Sequence, residues 1–254
     1  MRYQVPVFTL LILFSSLLGS PLLSQTPQEP EKPMYYPTGN EATVLGTITV
    51  KGTLPKPRQI DMTADPSCQE VNRKPKTEWV IANHDRLMNV FVYVKGEKLN
   101  NYRFELPGSD VILDQRGCRF EPHVFGIRVG QTLQVLNSDP TQHNVHPTPK
   151  LNPEWNQSQA SDSPPMIKTF RRAEVLIPIK CNQHPWMKAY AGVMNHPFFA
   201  VSDKFGNFEI RGLPEGTYKL VFWHEVFGEQ ESEIIVVPGE SRLIDVTFDA
   251  DKKP

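Results

Sequence analysis

Apolar and polar residues alternate in short runs along most of this chain. Ile48 and Val50 alternate with polar neighbours, as do Val90, Val92 and Val94, then Phe125, Ile127 and Val129, then Leu133 and Val135, and later Tyr218, Leu220 and Phe222. Each run is about 4–8 residues long and ends in Gly, Pro, Asn or Asp, which is the pattern of half-buried strands between turns. The unbroken apolar runs Val175-Leu176-Ile177 and Ile234-Ile235-Val236-Val237 predict strands covered on both faces. No stretch sustains a period of 3.6. The pattern is all-β, of the kind that builds sandwiches and barrels. The polar, proline-rich stretch Thr141 to Lys168 breaks the regularity and reads as a long functional loop.

Composition sharpens this. The 254 residues include 24 prolines, well above the usual share of about 5 %, which favours turns and edge strands over long helices. The length allows one large domain or two small ones. A formal net charge of -1 argues against nucleic acid as a partner.

The first residues carry an address. Met1 and Arg2 precede an apolar run from Val5 to Leu18 broken by Thr9, Ser15 and Ser16, and the small Ser24 stands before Gln25. A charged start, a short apolar segment and a small-residue cleavage site make a secretory signal peptide over residues 1–24; an uncleaved anchor would need about 20 apolar residues. The mature chain is then exported, periplasmic or extracellular, with no membrane span. Residues 25–41, rich in Pro, Gln and Glu, read as a linker. In an oxidising compartment the three cysteines leave one unpaired.

The chemistry concentrates in Cys181-Asn182-Gln183-His184-Pro185-Trp186-Met187, where a thiol, an imidazole and a thioether fall within one short loop after a predicted strand. Asn137-Ser138-Asp139-Pro140-Thr141-Gln142-His143-Asn144-Val145-His146 supplies further imidazoles after another strand. Cys, two His and a weak axial Met are the donors of a blue-copper site: thiolate and thioether suit Cu(I), and imidazole serves both oxidation states. His143 and His146 lie three apart in an extended segment and point in opposite directions, so one strand presents one of them.

These motifs resemble the cupredoxins, most closely the amicyanin and plastocyanin type. Phe120-x-Pro122, Ile127-x-Val129-Gly130-Gln131-Thr132-Leu133 and Asn137 resemble the family's strand leading to its first histidine, and the resemblance covers roughly Tyr102 to His196. It implies a Greek-key β-sandwich over 101–197 with His143, Cys181, His184 and Met187 as ligands of one type 1 copper. It also implies that Asn144 hydrogen-bonds across to the cysteine loop, that His146 is structural, and that electrons leave through the exposed edge of His184 amid an apolar patch of His184, Pro185 and Trp186.

The flanks resemble another family. Asp203-Lys204-Phe205-Gly206-Asn207-Phe208-Glu209-Ile210, a hairpin signal, precedes Leu213-Pro214-Glu215-Gly216-Thr217-Tyr218-Lys219-Leu220, after Gly46-Thr47-Ile48-Thr49-Val50-Lys51-Gly52 and Val90-Phe91-Val92-Tyr93-Val94. The pattern is similar to the carboxypeptidase regulatory-like, or transthyretin-like, β-sandwich. It implies a discontinuous host over 42–100 and 198–250 with the cupredoxin segment inserted; the alternative is one larger sheet. Cys68 and Cys118, one in each module, form the candidate disulfide, and the rival is Cys118 with His123 as a metal pair. His123, His196 and His224 read as buried histidines at a domain interface, with a second metal site as the alternative.

The function these resemblances imply is a type 1 copper protein that carries single electrons, not an enzyme, since four protein ligands leave no open position. Its partner would be a redox protein such as a c-type cytochrome or a dehydrogenase. The rivals are a copper oxidoreductase with an open site and a non-redox copper- or sugar-binding module.

Overall fold

The computed structural model describes Met1, Tyr3 and residues 31–252. The expected leader over residues 1–24 lies, apart from Met1 and Tyr3, outside the described residues. Among those residues no helix is long and apolar enough to cross a membrane. The chain divides into two compact units, Met1–Glu31 and Lys32–Pro254, and the described strands belong to the second.

That unit is all-β. Its described helical pieces are α1 (Pro66–Val71) and a 3-10 turn, Glu97–Asn101. A six-stranded sheet centres on Ala42–Lys51, which pairs antiparallel with Asn207–Leu213 and parallel with Ser241–Leu243 and Val246–Asp249. A four-stranded sheet runs Phe199–Val201, Phe91–Lys95, Gly216–His224, Gly228–Val236. Their alternating apolar residues, among them Val44, Ile48, Val92, Phe208, Leu220 and Phe248, close one core. A five-stranded sheet runs Gln157–Gln159, His143–Pro147, Glu174–Lys180, Lys188–Met194, Val124–Arg128. With a four-stranded sheet of Met166–Thr169, Thr132–Asn137, Val111–Gln115 and Phe120–Glu121 it closes a second core, which includes Leu113, Ile127, Val135, Ile177 and Cys181.

A third apolar cluster, Phe91, Tyr93, Val124, Met194 and Val221, joins strands of the two sandwiches. Its close fit depends on two glycines. A Cβ on Gly126 would overlap the Phe199 ring, and one on Gly192 the Phe91 ring. The two aromatic rings thus sit in gaps of the opposing sheet that any other residue would fill.

Several expectations need correction. Ile235 and Val237 are exposed beside buried Ile234 and Val236, because Gly228–Val236 is the last strand of its sheet and an antiparallel sheet can leave one face in water. Val175 is also exposed, and Leu176 stands at φ 64 in an irregular stretch of pairing between Glu174 and Ile177. Thr141 to Lys168 is no structureless loop: it contains His143–Pro147, Gln157–Gln159 and the start of Met166–Thr169. Gln157–Gln159 is polar at every position, which hides it from a hydrophobicity pattern. The linker ends early, because Tyr35 donates its backbone N–H to Arg103 O (2.7 Å) and packs against Tyr102 and Phe104. The Asp203–Asn207 turn is not a hairpin, since Phe199–Val201 and Asn207–Leu213 lie in different sheets. Met62 and Cys68 pack in the second core although strands on either side of them belong to the first.

Candidate metal centre

The Cys181 loop is built by its own backbone. Cys181 N–H donates to Met187 O (3.3 Å) and Met187 N–H to His184 O (2.9 Å), which folds seven residues into a closed turn at the end of Glu174–Lys180. That strand pairs with His143–Pro147, Lys180 opposite His146. The thiol and the first imidazole therefore meet at one end of the sandwich.

His143 is fully buried, whereas His146 turns outward to Asn182 Oδ1 (3.1 Å) and Glu154 Oε1 (2.6 Å). His143 Nδ1 lies 2.8 Å from His184 Nδ1, and Cys181 Sγ lies 3.7 Å from His184 Nδ1. One donor atom from each of the three falls within 4.8 Å of the others. Cys181 is a free, buried thiol, and Met187 is wholly buried in the same core. Asn144 ties the two segments together. Its N–H faces Cys181 Sγ (3.5 Å), and its Oδ1 accepts from Asn182 N (2.7 Å), Gln183 N (3.4 Å) and the thiol (3.3 Å).

Each imidazole has a carboxylate behind it. His143 Nε2 meets Asp139 Oδ2 at 2.8 Å, and His184 Nε2 meets Asp65 Oδ2 at 3.0 Å. Asp139 also accepts from Gly117 N (2.6 Å) and Cys118 N (2.8 Å). Asp65 caps α1 by accepting from Cys68 N (3.1 Å), and it accepts from Thr141 Oγ1 (3.0 Å). Neither aspartate stands out in the sequence. Asp139 is four residues before His143, a weak local signal, while Asp65 comes from 119 residues away.

The charges follow from these contacts. Burial pushes the Cys181 thiol up, but hydrogen bonds from His143, His184 and the Asn144 backbone bring it down to about 6. Burial pushes His143 down, and its bonds to Asp139 and Cys181 outweigh that and hold it up at about 9. His184 is raised too, first by Cys181. These contacts favour the thiolate form of Cys181, and a cation placed among the three side chains would meet three donor atoms.

Cys68 and Cys118 are disulfide-bonded, with Cα atoms 5.5 Å apart. The bond fixes α1 over the loop. As a result His184 is 5 % exposed, which corrects the expectation of an exposed imidazole edge: α1 and Asp65 occupy that side. Trp186, half-buried, has its ring 5.2 Å from the His184 ring and donates Nε1–H to Cys118 O (3.1 Å). With exposed Pro185 it lines a cleft of about 70 Å³ beside Trp79, Arg119, His123 and Lys188.

The other histidines have separate surroundings. His123 bonds Glu225, His196 stacks on Phe198 at 5.6 Å, and His224 stacks on Phe227 at 4.7 Å. No three-donor grouping among the described residues includes any of them.

No family model matches the chain, and no curated protein matches it. Among solved structures, a Cu-containing nitrite reductase (NirK) from Thermus scotoductus SA-01 is 22 % identical over 36 % of this chain and 24 % of its own, with a TM-score of 0.32. This chain thus matches about a quarter of that enzyme's length. An amicyanin variant in the reduced state is 20 % identical over 41 % of this chain and 98 % of its own (TM-score 0.31). A purple cupredoxin from Nitrosopumilus maritimus is 18 % identical over 34 % and 100 % (TM-score 0.29). Superposition at that level leaves the chemistry of this chain to its own residues.

Proposed function

We propose that His143, Cys181, His184 and Met187 hold one type 1 copper ion and that the chain carries single electrons between redox proteins outside the cytoplasm. The observation that carries this is the facing pair of Nδ1 atoms, 2.8 Å apart, with the free, buried Cys181 thiol beside them. Both Nε2 atoms are engaged by carboxylates, so the Nδ1 atoms are the ones left to take a metal. When bound, copper supplies a Cu(II)/Cu(I) couple whose two states both accept two imidazoles and a thiolate.

The chain's own residues do the rest. The sandwich and the closed loop hold the donors in place, burial excludes water, and Asn144 fixes the cysteine loop from the neighbouring strand. With the His184 edge covered, Trp186 is the ring through which an electron reaches the surface, and the cleft it lines is where a partner such as a c-type cytochrome or a dehydrogenase docks. In the same reading, residues 101–197 are a cupredoxin domain inserted into a transthyretin-like sandwich made of 42–100 and 198–250, and a leader over 1–24 directs export.

Optical spectroscopy of the copper-loaded protein tests the function. An intense visible thiolate-to-copper band supports the carrier. A pale tetragonal spectrum supports an open-site oxidoreductase, and failure to take up copper supports a binding module.

A further inference from the structure

Behind the two imidazoles stands a second layer that a four-ligand site does not require. It has four members: Asp65, Asp139, Cys68 and Cys118. Donor atoms of Asp65, Cys68 and His184 lie within 4.8 Å of one another, and so do those of Cys118, Asp139 and His143. The Cys68–Cys118 bond joins the two groups. Asp65 is the N-cap of the helix that carries Cys68, and Asp139 is held by the backbone N–H groups of Gly117 and Cys118. One disulfide thus stands between two carboxylates, each on a different histidine. Cys68 and Cys118 are 0 % exposed and Asp139 is 4 % exposed, while Asp65 is half-buried.

We propose that Asp65 and Asp139, linked through the Cys68–Cys118 disulfide, are positioning residues that lock both imidazoles with Nε2 protonated and Nδ1 facing the metal. The inference rests on the copper reading above. Each carboxylate oxygen accepts, so each ring donates from Nε2, and an ion at Nδ1 would take the place of any proton that nitrogen carries. The frame prevents ring rotation in the metal-free protein and in both oxidation states. Asp65 has a further consequence that Asp139 lacks. It arrives from a remote segment and closes the side of His184 that would otherwise face solvent.

The test is Asp65→Ser in the full chain. Serine is as good an N-cap as aspartate, so α1 and the unfolding midpoint should be retained while the His184 partner is lost. In the metal-free protein, ¹⁵N imidazole spectra should show slowly exchanging Nε2–H on both histidines of the wild type, and fast exchange at His184 alone in the variant. Copper(II) affinity, measured by competition with a chelator, should fall 10–100-fold. Asp65→Gly is the second variant. Glycine is tolerated at the N-cap and offers His184 no acceptor, so it should show the same loss at His184, and it decides the matter if the serine variant does not fold. A His184 Nε2 proton that stays protected in either folded variant, or wild-type copper affinity, overturns the proposal. If wild-type protein takes up no copper, the copper reading fails, and the metal-free spectra still decide whether the frame exists.

Discussion

The ring of Phe91 occupies the space where a side chain on Gly192 would stand. The contact joins a strand of the flanking sandwich to one of the sandwich that carries the Cys181 loop, because Phe91 begins Phe91–Lys95 and Gly192 lies in Lys188–Met194. Gly192→Ala should therefore cost about 1–3 kcal/mol of stability through overpacking. Gly108, with nothing within 4 Å of its Cβ position, is the control, and Gly108→Ala should be near neutral. Denaturant midpoints check both; equal midpoints would show that the interface yields freely.

The disulfide closes a loop with a sequence separation of 50. In the chain-entropy model, loss of such a link costs about 4 kcal/mol. Cys68→Ser combined with Cys118→Ser should lower the unfolding free energy by roughly that amount. Thiol counting on denatured, unreduced wild type should find one free thiol, Cys181. A count of three would show that the bond does not form.

Stability should fall on mild acidification. Burial, with smaller contributions from Arg128 and His123, depresses His196 and His224 to about 4 in the folded chain, against about 6.5 when unfolded. Between those values the unfolded chain binds more protons, so stability rises with pH across the window. The contribution is complete above about 6.5 and is lost as pH falls toward 4, at up to about 3 kcal/mol per histidine. His224→Phe keeps a ring against Phe227 and should flatten the profile. The check is urea midpoints from pH 7 to 4.5; an unchanged slope in the variant would mean that His224 is charged in the folded state.

The axial position separates carrier from enzyme. Met187→Leu preserves buried volume, so its stability cost should stay below about 1.5 kcal/mol. With copper bound, the variant should keep metal and colour while its reduction potential rises, because losing any one donor destabilises the more highly charged Cu(II) more than Cu(I). Cys181→Ser should abolish the visible band. Voltammetry showing an unchanged potential in Met187→Leu would exclude Met187 as a ligand and favour the open-site oxidoreductase.

Asn144→Ala removes the acceptor of the Asn182 and Gln183 N–H groups. Leaving them unmatched should cost about 1–3 kcal/mol. The variant's copper band, if shifted in energy, would report a moved Cys181 sulfur.

Much of the site was legible because its donors come in two contiguous motifs, each at the end of a strand. The period of two put His143 and His146 on opposite sides, the resemblance chose His143, and the structure turns the two to opposite sides. What could not be read was long-range. Asp65 in Asp-Pro-Ser announces a helix start and nothing more, and its histidine lies 119 residues on. The exposure of His184 was misjudged for the same reason: no local feature of the loop records that a distant segment covers it. Among the strands, those with an apolar inner face were visible, while Gln157–Gln159, polar at every position, was not.

The pairing of Ala42–Lys51 bears on the order in which the chain can fold during synthesis. Its longer partners are Asn207–Leu213, Ser241–Leu243 and Val246–Asp249, all delivered long after it; the early Arg86–Leu87 meets it only at Thr49. Ile48 and Val50 must wait exposed until Phe248 has emerged, while residues 111–194 already have most of their partners at hand. Most of the early strand is thus an unpaired β-edge for most of the chain's emergence, open to aggregation unless something shields it. Removal of the segment from residue 241 onward would make that exposure permanent.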